Sequence, residues 1–579
     1  MQLDYTYTHD QTRAGTGYFS CEPPATFTFA AKLKALETCP LDTFMHRHML
    51  QVLREQRLDD LKILAHQAYA ASTQRFLNVT LAALLLEVAY LFPDLAALKE
   101  EFPPTALHDL ACATPLIYLR FLAAETCQYP WEMFAGLVEE HKPLPALWRE
   151  QVQSCYAQDD LEKTCSRLKI PQDSLAALHA SMKLTKHSEE SEPSLNALYR
   201  HAMDVLLEAG ILAGGELRHE SSLSPVALLR NFNLDITVQD NKLNYTLHGT
   251  ATAYGRGLSI LLARLSCVME IVERSSAYVS VRQNADTLEI LDRQKPLPVL
   301  RASLDELERQ NIPYLPLHDL VLEAQVPKES LTFVKGETST GDPMWVPAQC
   351  VFLFWNVAEP ELFLAPGSTG LAAGASLAQA KVHALCEVFE RDAQATMPYN
   401  AERCFTLKSR DPRLQGLLDV YAQCGIYPQF QDLTTEMGVP VYQCFVQRKT
   451  GGIVQACACD LSGVKACLAA LTETPWPYSV AHPVMTTELV APDKSLPTRF
   501  LEDLPNYSLA THEEDLALLE GVLHKMGCPP VYVDITRQDL ELPCVRAIVP
   551  HFELSAELGR FVKPNARLVV RCMQQSNVA

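Results

Sequence analysis

Two pairs of glutamates carry the most suggestive chemistry in this chain of 579 residues. Glu270 and Glu273 precede Arg274, and Glu387 and Glu390 precede Arg391 in the same spacing. One offset of 117 positions (387 − 270) relates the landmarks of both stretches without a gap, pairing Gly257 with Gly374, Ser259 with Ser376 and Arg274 with Arg391. If the copies face each other across a pseudo-twofold, four glutamates converge. Two unit charges about 4 Å apart repel by roughly 4 kcal/mol at an effective dielectric of about 20. Such a cluster calls for hard divalent cations with oxygen ligands, magnesium above all, which usually arrives with phosphate. Neither stretch has the paired Cys and His of a zinc site.

The elements that must position these carboxylates are two helices. In each copy a glycine-rich turn (Tyr254-Gly255-Arg256-Gly257; Gly370-Leu371-Ala372-Ala373-Gly374) opens a long run of helix formers free of Pro and Gly. A serine two residues after the last glycine is placed to cap the helix. On a 3.6-residue period Ser259, Ser266, Glu270 and Glu273 share one face, and Gln379, His383, Glu387 and Glu390 make the matching stripe. The other faces are apolar. A lone Glu-x-x-Glu-Arg is ordinarily an exposed salt-bridge face. Two copies in one register, both with apolar flanks, argue for buried helices with a narrow polar seam, where a carboxylate needs a partner.

The chain is too long for one ordinary core. Its net charge of −20 argues against nucleic acid as a general partner. A small anion held by local arginines and helix N-termini remains compatible with it. The N-terminus has neither a basic start nor an apolar run, and eighteen cysteines without a signal sequence predict reduced thiols and a cytoplasmic location. The longest apolar stretch, 76–92, is interrupted by Asn78, Thr80 and Glu87, which predicts a buried helix rather than a membrane span. Cys457 and Cys459 read as alternating residues of one strand.

Residues 1–40 lack periodicity and stay unassigned. A helical domain is expected over 41–182, with breaks at its prolines, then a polar linker over 183–194. From 195 to 579 the pattern predicts an α/β (α+β) domain opening with a helix over 195–209. Its strands are expected at 234–238, 243–247, 351–354, 441–447, 452–459, 531–535 and 545–549, and a helix at 464–473 ends in Thr472-Glu473. Arg546 lies on an apolar strand and needs an acidic or anionic partner.

These residues resemble the YcaO family, ATP-dependent proteins that act on peptide backbone amides. The likeness spans roughly 230–555. It rests on Tyr254 to Ser259, Glu270 to Arg274, Ser368 to Ser376, Glu387 to Asp392, Thr472-Glu473 and Cys544 to Pro550. It implies an internally duplicated, two-half sandwich with ATP and magnesium between the halves, beside the N-terminal all-helical domain. Glu270, Glu273, Glu387 and Glu390 would coordinate magnesium, and Arg546 would contact phosphate. Arg256, Ser259, Gln379, His383 and Arg391 are the further nucleotide-side positions.

The sequence departs from the family pattern in five places, one of them His383, where the family commonly has other residues. Arg256 replaces the usual lysine, Thr369 and Ala375 replace asparagines, and Gln379 replaces a glutamate. The end of the chain, without a Pro-x-Pro-x-Pro tail, resembles the non-azoline branch, which includes thioamide-forming members and accessory factors for methylthiolation of a ribosomal protein. Two readings stay open. One is phosphorylation of an amide oxygen of a peptide or protein by ATP, coupled to attack by an external nucleophile. The other is an accessory protein, with an altered site, that recruits a partner through its helical region. A third, another ATP-dependent ligase chemistry, has only the convergent carboxylates behind it.

Overall fold

The computed structural model describes residues 2–11, 17–124, 174–182, 194–219, 222–240, 242–284, 287–322, 326–353, 355–363, 367–448, 452–477, 495–554 and 565–576, with a few short pieces between them. The expected linker, 183–194, falls outside the described residues except for Ser194, which caps the helix Leu195–Glu208.

Three sheets organise the α/β architecture. The first is built on a long hairpin, Val226–Gln239 with Asn244–Gly257, in which Val226 faces Gly257. Residues 1–40, unassigned from the pattern, contribute to it. Strand Gln2–Gln11 runs parallel to Asn244–Gly257 along Gln2 to Tyr7, and Gly17–Glu22 pairs outside it. The middle sheet has the order Val299–Ala302, Leu331–Thr338, Val531–Asp534, Cys544–Ile548, Leu371–Ala373. The third runs Ile453–Cys459, Val441–Gln447, Gln429–Asp432, Cys404–Lys408, Thr498–Phe500.

Helices Thr43–Arg54, Leu58–Ala68 and Val79–Leu91 follow the N-terminal strands. The last carries the longest apolar stretch and is buried along most of its length. A short hairpin, Tyr69–Ala70 with Arg75–Phe76, interrupts this otherwise helical region. Its helices share one hydrophobic core with the first sheet and one face of the middle sheet. No helix among the described residues is long and apolar enough to cross a membrane.

The two repeat helices, Ile260–Ala277 and Leu377–Thr396, begin at equivalent positions. Ser259 Oγ accepts the Leu262 N–H at 3.3 Å, and Ser376 Oγ accepts the Gln379 N–H at 3.2 Å. Each hydroxyl satisfies one of the donors a helix start leaves open. The first glycine stretch, 254–257, is a strand end rather than a turn, while the second opens as a turn at Gly370 (φ 77°) and runs on as the short strand Leu371–Ala373. Glycine is needed there for close approach. A Cβ on Gly255 would lie 1.9 Å from the Ala263 carbonyl oxygen.

Strand alternation in the middle sheet separates two cores. Cys544 and Ile548 face the core that holds Ile271 and Val272 of the first repeat helix. Val545 and Ala547 face the core that holds Leu385 and Val388 of the second. The sheet edge is thus flanked by one repeat helix on each face. The described part of the strand expected at 351–354 is not a strand: after Pro347 ends the preceding strand, Ala348–Cys350 forms a 3-10 turn and residues 351–353 continue as turn and bend, while 354 lies outside the described residues.

Candidate functional site

The polar seams of the two repeat helices meet at this sheet edge. On the first helix Glu270 Oε2 accepts the Tyr254 backbone N–H at 2.8 Å. The hairpin leaves that N–H free because its neighbour Gln2–Gln11 pairs only as far as Gly249. Arg274 lies 3.7 Å from Glu270 and 3.1 Å from Glu273. The second helix repeats the pattern, with Arg391 3.7 Å from Glu387 and 2.6 Å from Glu390. The i,i+4 ion pairs of the bland reading are present, but in a different setting. The side chains of Glu270, Glu273, Glu387 and Glu390 keep only 26, 18, 22 and 12% of their surface open, so all four are largely withdrawn from solvent.

Electrostatics tie the copies together. Burial pushes Glu273 up to about 8; Arg274 and Arg546 oppose this, while Glu387 of the other copy and Glu270 add to it. Burial pushes Glu390 up to about 8 against the pull of Arg391, with Glu473 and Glu387 adding repulsion. Glu387 is raised by burial too, eased by Arg391, Arg274 and Arg546.

Arg546 occupies the middle of this field. Its strand alternation turns it to the same face as Cys544 and Ile548, and it is 1% exposed. Nη1 and Nη2 both donate to the Gly367 carbonyl at 3.2 Å, while Nε has no partner. Burial lowers its pKa to about 10, against the attraction of Glu387. Of the two partners foreseen for it, an internal salt bridge is not formed among the described residues.

Glu473, at the end of helix Gly463–Glu473, joins the group. Burial raises its pKa; Arg256 of the first repeat and Arg391 of the second oppose this, and Glu270 adds to it. The sequence pattern marked Thr472-Glu473 without a role for the carboxylate. Its signal was an acid closing a largely apolar helix.

Other expected residues are engaged elsewhere. Ser259 is exposed, and its hydroxyl serves the helix start. Gln379 Oε1 accepts the Ala375 N–H at 2.7 Å, closing the turn on itself. His383 is exposed, its ring 6.4 Å from that of His512. Among the described residues no three carboxylate, imidazole or thiolate groups gather into a preformed metal cage. Each glutamate pair turns toward its own arginine.

This arrangement suits magnesium with phosphate. Mg2+ is usually held by one or two carboxylates plus phosphate oxygens and water, not by a complete protein cage. A buried guanidinium with an unused donor suits an anion.

The YcaO family pattern, described as YcaO cyclodehydratase, ATP- and Mg2+-binding, matches residues 254–475 and 478–553. An uncharacterized protein of Methanothermobacter thermautotrophicus is 26% identical over 341 residues, covering 53% of this chain and 83% of its own length. An uncharacterized protein in the tfuA 3′ region of Rhizobium leguminosarum bv. trifolii is 23% identical over 244 residues, covering 39% of this chain and 54% of its own. Among solved structures, a heterocyclase in complex with substrate and cofactor aligns with a TM-score of 0.48 and 17% identity over 66% of this chain and 56% of its own. YcaO from Methanopyrus kandleri, bound with AMPPCP and Mg2+, aligns with a TM-score of 0.43 and 20% identity over 65% of this chain and 92% of its own. The family match takes in both repeat helices, Glu473 and the Arg546 strand and spans more than half of the sequence, so the chain belongs to the YcaO family, whose members bind ATP and Mg2+.

Proposed function

We propose that the protein uses ATP and Mg2+ to activate a backbone amide of a peptide or protein. The γ-phosphoryl group passes to the amide oxygen with release of ADP, before or after an external nucleophile bonds to the amide carbon, and the C–O bond then breaks so that the oxygen departs as inorganic phosphate. The subclass we favour is thioamide formation or a related non-azoline modification. The observation that carries the reading is Arg546, fully buried between two carboxylate-bearing helices with Nε unpartnered.

Phosphoryl transfer depends on positioning and charge neutralisation more than on covalent help from the protein. Glu270, Glu273, Glu387 and Glu390 supply oxygen ligands for the metal, and Glu473 adds charge to the same wall. Arg546 neutralises phosphate, and Arg391 holds Glu387 and Glu390 in place. Magnesium supplies charge stabilisation on the triphosphate when bound.

A second reading, an accessory protein with a reduced site, is favoured by Gln379. Its carbonyl caps the turn at Ala375, where the family commonly has a carboxylate, so one ligand to the metal is missing. The helical region would then recruit the partner enzyme.

Titration calorimetry with ATP, with and without Mg2+, tests both. Magnesium-dependent binding that is lost in Glu387→Ala and Glu270→Ala supports the site. ATP turnover that depends on a peptide favours the enzyme, and absence of ATP binding by the intact protein at millimolar concentration sinks the first reading.

A further inference from the structure

The third sheet ends on the strand Ile453–Cys459, which is bonded on one side only, to Val441–Gln447. The ladder fixes where its free groups point. Val441 faces Cys459, yet its carbonyl accepts the Leu433 N–H at 2.9 Å and its N–H reaches Thr434 Oγ1 at 3.4 Å, both on the far side. This is therefore an unbonded pair, and bonded pairs alternate with it. Bonds from the Asp460 N–H to the Pro440 carbonyl at 3.3 Å and from the Arg448 N–H to the Gly452 carbonyl at 3.1 Å continue that alternation at either end. The N–H and C=O groups of Ile453, Gln455, Cys457 and Cys459 thus point out of the sheet.

The inner end of this row reaches the carboxylate wall. The Cys459 N–H is given to the Glu390 carboxylate, and Cys457, 3% exposed, lies in the field of Glu390, Arg391 and Glu473. The outer end is open, with Ile453, Val454, Gln455 and Ala456 all half-buried. Among the described residues no backbone bond takes up the outward groups of Ile453, Gln455 or Cys457.

A solvated edge is the ordinary state of an outer strand, and such edges are commonly guarded by charge, proline or a bulge. Ile453-Val454-Gln455-Ala456-Cys457-Ala458-Cys459 has no charged residue and no proline, and its ladder with Val441–Gln447 runs without a bulge. An unguarded edge is a template for another strand. A second copy of this chain and an extended peptide compete for it. Each copy carries a net charge of −20, and Glu390 and Glu473 stand at the inner end of the edge, so a second copy meets like charge. A peptide backbone is neutral. It also carries the amide that the proposed reaction needs, and strand pairing delivers it in a fixed register.

We propose that the outward edge of Ile453–Cys459 docks the substrate as an added β-strand. The occupant is an extended, uncharged backbone segment of a peptide or protein, which runs along Ile453, Gln455 and Cys457 toward Glu390. This deepens the preceding functional reading and rests on it for why a backbone is brought to that wall.

The probe is the pentapeptide Thr-Val-Thr-Val-Thr, acetylated and amidated, titrated into the full-length protein with and without Mg2+ and AMPPCP. Gln455→Pro removes one outward N–H and no ladder bond, a place where an edge strand tolerates proline, and Gln455→Thr keeps the N–H. We expect saturable binding to the wild type and to Gln455→Thr, binding at least about tenfold weaker to Gln455→Pro, and one affinity for Mg·AMPPCP in all three. Should Gln455→Pro fail to fold, the same peptide methylated on every backbone nitrogen takes its place, and loss of binding to the wild type is the expected result. No saturable binding of the unmodified peptide to the wild type overturns the docking edge, as does undiminished binding to Gln455→Pro or of the methylated peptide. Equal weakening in Gln455→Thr and Gln455→Pro assigns the effect to the side chain and overturns it too. So does a wild type that sediments as a dimer beside a monomeric Gln455→Pro, which gives the edge to a second copy. Peptide binding without nucleotide binding leaves the edge standing and removes the nucleotide reading, and nucleotide binding without peptide binding does the reverse.

Discussion

Arg546 and Gly367 are joined by two hydrogen bonds to one oxygen, at 3.2 Å each, and this is the whole of the guanidinium's satisfaction among the described residues. Two of its five donors reach one carbonyl, which leaves the charge poised for an anion. Arg546→Lys keeps the charge and loses the fork. We expect its affinity for Mg·ATP to fall at least tenfold, about 1.4 kcal/mol, with the melting temperature little changed. A variant that binds Mg·ATP like the wild type would remove Arg546 from the phosphate site.

Glu273 and Glu390 both rise from 4.5 to about 8 in the ligand-free protein. A carboxylate whose folded pKa is raised binds more protons folded than unfolded across that interval. Stability is therefore fullest below about 4.5 for these groups and is lost as pH climbs toward about 8. Thermal melts of the ligand-free protein should shift down between pH 6 and pH 8, on the order of the interval set by those shifts. Mg2+ with nucleotide should release protons and flatten the trend. Melts that rise over the same range would contradict the assignment of these two carboxylates as groups that burial keeps protonated.

Gly255 illustrates what the sequence did and did not reveal. The 117-residue offset (374 − 257) correctly marked two equivalent helix starts, and Ser259 and Ser376 cap them at the same register. The glycines read as turn formers, which holds for Gly370 and not for Gly255 and Gly257. In the folded chain they let a helix lie directly on a strand, a tertiary demand that no local pattern expresses. A methyl group on Gly255 would overlap Ala263 O at 1.9 Å and Cys267 Cβ at 2.6 Å. Gly255→Ala should cost about 1–3 kcal/mol or more as overpacking, read as a lower midpoint in urea. An unchanged midpoint would mean that the helix can shift freely on the strand.

Much of the site's remainder was hidden for related reasons. Glu473 and Arg256 come together only because the end of helix Gly463–Glu473 abuts the first sheet, and that contact bridges more than two hundred residues of sequence (473 − 256). Strands 441–447 and 545–549 were legible because β-branched and apolar residues dominate them. The first 40 residues were not, since Gln2–Gln11 finds its partner far away in Asn244–Gly257. Ser259 and Gln379 had the right residue types for ligand contact, but each is also a helix-start residue, and the backbone claims the side-chain oxygen first.

Asp392, next to Arg391, links the site to the last helix of the described chain. It is fully buried, pairs with both Nη atoms of Arg567, and accepts the Glu553 N–H at 3.0 Å. Arg571, on the same helix Ala566–Ser576, donates to the Thr396 carbonyl at 3.0 Å and to Glu436 at 2.6 Å. The second repeat helix is therefore clamped directly behind Glu390 and Arg391. Arg567→Ala leaves an unpaired buried carboxylate, which costs about 3–5 kcal/mol when a buried pair is broken one-sidedly. The double variant Arg567→Ala with Asp392→Ala removes both charges and should recover part of that loss. If the clamp holds Glu390 and Arg391 in register, the double variant will regain stability without regaining the wild-type affinity for Mg·ATP. Recovery of both together would mean that the pair serves the fold alone and that the carboxylate wall keeps its geometry without it.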